Sequence, residues 1–100
     1  MRKNCIKVIE AFQKDKAAQG DSKRTIWTDG EGRIYSYNML IARKFKDNFG
    51  GEMVVIIDRS YAPSATTRNK IDAVRAYYPN AGTVREGSIL TWDFKFNSSY

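Results

Sequence analysis

The residues best able to hold an anion lie between Arg59 and Lys70. Ser64, Thr66 and Thr67 supply hydroxyls, Arg68 and Lys70 supply full positive charges, and Arg59 precedes them. A helix opening at Thr66 or Thr67 would add free first-turn N–H groups and the positive end of its macrodipole. That combination makes a cradle for a phosphate or similar anion. The bland counterpart is that Thr66 or Thr67 is only an N-cap, worth about 1 kcal/mol.

A second grouping is Arg33, Tyr35, Tyr37, Arg43 and Lys44. On a strand Tyr35 and Tyr37 share one parity and point to one sheet face. Exposed, they would stack on bases as ring platforms do in single-strand binders. Buried, they are core beneath a helix. Arg33 shares their parity and suits a core badly, which keeps the exposed option open. Arg43, Lys44 and Lys46 either flank such a platform or act as edge charges that discourage strand pairing.

Catalytic constellations are poor, and the expectation is a protein that is not an enzyme. The chain has no histidine and one cysteine, so His-dependent triads, His zinc sites, thiolate clusters and an internal disulfide are excluded. Asp29 and Glu31 sit in a turn, Asp58 follows a buried strand, and no carboxylate pair converges on one substrate. Cys5 falls on the apolar side of a helix, where a small core residue is the ordinary reading. No metal and no cofactor are expected.

The totals fit one domain spanning residues 1–100, with 42% hydrophobic and 13% aromatic residues. The net charge of +6 favours polyanionic partners or acidic protein surfaces, although it also serves plain solubility. Residues 1–24 carry seven Lys/Arg against three Asp/Glu, a local excess of +4. No apolar run approaches the roughly 18 residues of a membrane span, and the charged start is unlike a signal peptide.

The elements that must position these groups follow from periodicity. Cys5, Val8, Ile9 and Phe12 form an i, i+3, i+4, i+7 stripe, predicting a helix from about Asn4 to Gln19, capped at Asn4 and stopped at Gly20. Strands are predicted at 24–28, 33–37, 39–46 and 53–57, joined by the Asp29-Gly30-Glu31-Gly32 turn, a kink or bulge at Asn38, and a hairpin loop at 47–51. A second helix runs from Thr66 or Thr67 to Tyr78, ahead of Pro79. The alternation of Leu90, Trp92, Phe94 and Phe96 predicts a closing strand. The fold class is α+β: an antiparallel sheet of about five strands packed with two helices, in the order α-β-β-β-β-α-β.

With these motifs placed, the chain resembles a family of small phage-encoded accessory proteins of unknown function. The likeness rests on Ala11-Phe12, Thr28-Asp29-Gly30, Tyr35-Ser36-Tyr37, Ile41-Ala42, Ser60-Tyr61 and Ser64-Ala65-Thr66-Thr67, and covers roughly residues 8–78. Relatives continue the Thr-Thr pair with Ser and a His-Gln pair, whereas this chain reads Arg68-Asn69-Lys70, and its segment after Pro79 has no counterpart. The resemblance implies a phage protein acting in the host bacterial cytoplasm, and it implies no activity. Two functions are expected from it together with the residues. One is counter-defence binding of an anionic ligand, a nucleotide signal or nucleic acid, through the basic hydroxyl-rich loop and helix start. The other is anti-CRISPR-like inhibition by direct contact with an acidic host defence protein. No membrane partner is expected, and self-association into a homo-oligomer stays open.

Overall fold

A computed structural model describes residues 3–46 and 49–85 of the chain. Its elements are α1 (Lys3–Gln13), β1 (Ala17–Gln19), β2 (Trp27–Asp29), β3 (Arg33–Ser36), β4 (Met39–Lys46), β5 (Glu52–Ile57), a 3₁₀ turn (Arg59–Tyr61), α2 (Ala65–Tyr77) and β6 (Gly82–Val84). The class is α+β, with two helices and a six-stranded sheet ordered β1-β2-β3-β4-β5-β6. The expected all-antiparallel sheet of about five strands is corrected in two respects. A short strand precedes the others, and β6 joins β5 in parallel after the α2 crossover. The predicted strand at Leu90–Phe96 lies outside the described residues. Among the described residues no helix is long and apolar enough to cross a membrane.

The first helix stops six residues earlier than periodicity suggested, at Gln13 rather than Gln19. Asp15 takes a left-handed backbone at φ 57°. The Lys16 N–H then donates to the Ala11 carbonyl at 2.9 Å and the Asp15 N–H to Phe12 at 3.2 Å. That is the Schellman pattern, usually built on glycine, here built on an aspartate. The freed residues turn back as β1. Gly20 is not the helix stop but the close approach that seats this strand: a Cβ there would lie 2.8 Å from Ile26 Cγ2.

Both helices pack on one face of the sheet. Val8, Ile9 and Phe12 of α1 and Ile71 and Val74 of α2 meet Ile26, Ile34, Ile41, Ala42, Val54 and Ile56. The opposite face buries Leu40, Phe45, Val55 and Val84, with Tyr35 packed beside them. A register shift between Ile34 and Tyr35 decides this division. Ile34 faces Ala42 while Tyr35 faces Leu40, so Ile41 is an extra residue and both Ile41 and Ala42 turn to the helices. The bulge therefore lies at Ile41, not at the expected Asn38. Asn38 instead belongs to a two-residue turn, since Ser36 pairs with Met39.

Beyond the bulge Lys44 points beneath α1. Its ammonium donates to the Phe12 carbonyl at 2.7 Å and to Asp15 Oδ1 at 2.9 Å, with only 2% of the side chain exposed. Lys46 holds the other Asp15 oxygen. Hydrogen bonds from Lys46 and then Lys44 keep the Asp15 carboxyl below its ordinary range. A lowered folded-state value means the contribution is present above the unfolded value and lost as pH falls through the folded one. Replacing Asp15 by Asn keeps a residue tolerant of left-handed backbone and removes the charge that Lys44 faces. We expect Asp15→Asn to cost about 1–3 kcal/mol at neutral pH, read from urea melts. The gap to the parent protein should shrink as pH falls below the ordinary carboxylate range. A gap independent of pH would refute the ion-pair account.

Candidate functional site

The residues around the start of α2 do come together, but as a closed knot. Ser64 is the N-cap, its hydroxyl accepting from the Thr67 N–H at 3.3 Å and lying 2.9 Å from the Thr66 hydroxyl. The buried Thr67 hydroxyl meets Ser36 Oγ of β3 at 2.9 Å. Lys70, 8% exposed, donates to the Thr25 carbonyl at 2.6 Å and lies 3.4 Å from Ser36 Oγ. Its ammonium is 4.6 Å from the centre of the Tyr37 ring. Arg59 stands apart: it pairs with both Asp72 oxygens at 3.0 and 3.2 Å. Arg68 continues the helix, its N–H on the Ser64 carbonyl at 3.1 Å. The Thr67 hydroxyl thus ties α2 to the end of β3, Lys70 ties it to Thr25 ahead of β2, and the Ser64 and Thr66 hydroxyls pair within the cap.

Tyr35 and Tyr37 do not share a face. Strand β3 ends at Ser36, and Tyr37 opens the turn with φ 53°, which breaks the two-residue alternation. Tyr37 is 51% exposed beside α2, its carbonyl accepting from Trp27 Nε1 at 2.7 Å. Tyr35 stays on the face away from the helices. Arg33 lies on that face too, opposite Arg43, and its guanidinium binds Asp29 at 2.9 Å and reaches Glu31 at 3.6 Å. Arg43 is buried at 6% exposure, its guanidinium 5.1 Å from the Phe45 ring. Lys44 is on the other side of the sheet altogether, drawn in by the bulge. Of the five expected platform residues, only Arg33 and Tyr35 are therefore together and partly open.

What joins them was not singled out by sequence. Trp27 and Tyr35 are cross-strand partners with rings stacked 4.2 Å apart at 12°. The Arg24 guanidinium lies over the Trp27 ring, 3.8 Å from its centre. Arg24 itself has φ 54° and is exposed. Its loop is pinned by Asp21, which accepts from the Thr25 N–H at 3.0 Å and the Thr25 hydroxyl at 2.7 Å. Those bonds, the backbone one first, hold the Asp21 carboxyl below its usual range. Beside the stack runs a groove of about 460 Å³ lined by Ala17, Ala18, Gln19, Arg24, Trp27, Thr28 and Asp29. Its size falls in the range of small-molecule sites, roughly 300–1,000 Å³.

The register carried a usable signal for Trp27. A hairpin through Gly30 and Gly32, both at positive φ, places Thr28 opposite Ile34 and so Trp27 opposite Tyr35. Arg24 is placed by a local bend that its assignment to a strand passed over: its N–H donates to the Asp21 carbonyl at 3.2 Å, and the Asp21 carboxylate accepts from the Thr25 N–H and hydroxyl four positions on.

The arrangement offers a ring face, a displaceable cation and a groove. An exposed cation–π contact is worth about 0.5–1 kcal/mol, and stacking of a base on an aromatic ring about 1–3 kcal/mol. Among the described residues no group of three or more Cys, Asp or Glu side chains is arranged to hold a metal ion. Compared with protein-family models, curated proteins and solved structures, the chain finds no match.

The knot and the platform are separable by mutation. Thr67→Val should destabilise the fold by about 1–2 kcal/mol, since the Ser36 hydroxyl loses a buried partner. Thr66→Val, at an exposed position, should stay within about 0.5 kcal/mol. Equal losses in thermal melts would show that the Ser36–Thr67 contact does not tie the hairpin to α2.

Proposed function

We propose that the protein is a non-enzymatic binding module for a nucleotide or nucleic acid, and that it serves phage counter-defence in the host bacterial cytoplasm. The observation that carries the reading is the Arg24–Trp27–Tyr35 stack beside an open groove. Stacked rings with a guanidinium on top match the chemistry of a nucleotide, which presents a flat π-face next to a phosphate. The basic excess of residues 1–24, whose last member is Arg24, supports the same ligand by long-range attraction. The phage setting rests on the family resemblance. Because Thr67 and Lys70 are buried and bonded to Ser36 and Thr25, and Arg59 is paired with Asp72, we place the ligand on the sheet face rather than at that helix start.

The test is fluorescence anisotropy with labelled single-stranded DNA and RNA, competed by a panel of mono- and cyclic dinucleotides at several salt concentrations. Wild-type protein should bind at least one class, with affinity falling as salt rises. Trp27→Ala should weaken binding about tenfold or more, as loss of a stacked base requires, with its circular dichroism unchanged. Absence of binding to every probe sinks the proposal. Recovery of one stoichiometric host protein complex by protein that binds no nucleotide would put the inhibitor reading in its place.

A further inference from the structure

We propose that the ligand is single-stranded nucleic acid, and that one unpaired base takes the place Arg24 now occupies on the Trp27 ring while Arg24 moves to the adjoining phosphate. This rests on the nucleotide-binding reading and adds the state of the ligand and a moving part. Three observations lead to it. One face of the Trp27 ring is already spent on Tyr35, 4.2 Å away, so only the Arg24 face is available for stacking. The guanidinium covering that face belongs to an exposed side chain in a loop, 3.8 Å from the ring centre. The groove beside Arg24 and Trp27 is lined on their face by the small side chain of Ala17, the strand partner of Asp29.

The rest of the site favours a strand over a duplex. A paired base keeps both π-faces inside the helix stack and cannot lay one on the Trp27 ring. Asp21 fixes the backbone at Thr25, so the movement is confined to the Arg24 side chain and need not disturb β2. Indole Nε1 is anchored on the Tyr37 carbonyl at 2.7 Å, so the ring itself holds its plane when its cover changes. Asp29 is paired with Arg33, which also reaches Glu31, so the phosphate is placed at Arg24 and away from Asp29. An arginine released from a ring keeps its charge and gains a bidentate partner in a phosphate.

The experiment follows Arg24 by NMR while a thymidine hexanucleotide is titrated into the wild-type protein. Free protein should show the Arg24 Nε–H and δ protons shifted upfield by the indole ring current. At saturation these should return to ordinary positions, while the Trp27 ring protons move upfield under the bound base. Arg24→Ala should bind adenosine, which has no phosphate, more tightly than wild type. The same variant should bind the hexanucleotide with a salt slope about one phosphate contact smaller. A hairpin long enough to keep its thymidine tract fully paired with adenosines should bind at least tenfold more weakly. Binding of the hexanucleotide with Arg24 still ring-shifted, or equal affinity for the hairpin, overturns this inference and leaves the broader reading standing. A hexanucleotide and nucleotide panel that do not bind at all remove both.

Discussion

One extra residue in β4 determines which side chains each face of the sheet receives. From Leu40 onward, unbroken alternation would send Ala42 and Lys44 to the face of Tyr35 and bury Arg43 and Phe45 under the helices. The bulge at Ile41 reverses this, with Ile41 and Ala42 both inward, Lys44 under α1, and Arg43 and Phe45 outward. A single slip of phase thus moves a cation across the sheet. The helix layer gains a contiguous aliphatic floor, and the other face gains its arginines. The architecture of both surfaces follows.

The inward lysine would be costly were it not matched to a helix end. α1 stops on a left-handed aspartate, leaving its last carbonyls facing the sheet, and Lys44 arrives there to meet both the Phe12 carbonyl and the Asp15 carboxylate. A cation at a helix C-terminus is also favoured by the macrodipole. The same logic recurs at the other helix. Lys70 lies on the inward side of α2, but the Thr25 carbonyl and Ser36 hydroxyl are within its reach, and Ser36 is shared with Thr67. Two buried lysines thereby act as braces between helices and sheet. Buried charges of this kind hold a particular arrangement in place, because any slip would strand them without partners.

With Lys44 and Lys70 buried as braces, the more exposed Arg24 and Arg33 lie on the opposite face. There the groups are only partly committed. Arg33 is half-exposed and balanced by Asp29 and Glu31. Arg24 is held by a ring alone among the described contacts that involve its side chain. Contacts of that strength are readily exchanged for better ones. The helix side thus has its polar groups paired in the interior, whereas on the other side the cations Arg24 and Arg33 keep partly exposed contacts.

Sequence by itself determined much of this scaffold. The α1 stripe of Cys5, Val8, Ile9 and Phe12, the glycine turn at Gly30 and Gly32, the extent of β4, and the placement of α2 before Pro79 all follow from short-range periodicity and turn chemistry. These depend on neighbours in the chain, and so they are legible along it. Tertiary structure decided what depends on partners far away. It alone stopped α1 at Asp15, because a left-handed aspartate is sustained by Lys44 and Lys46 some thirty positions later. It alone inserted the bulge that sent Lys44 inward, and it ended β3 so that Tyr37 left the face of Tyr35. The Arg24–Trp27 contact, by contrast, is local, set by the Asp21–Thr25 bend beside it. The cations were visible from the start. Which of them are buried braces and which stay exposed is settled only when the sheet brings carbonyls, carboxylates and rings to their ends.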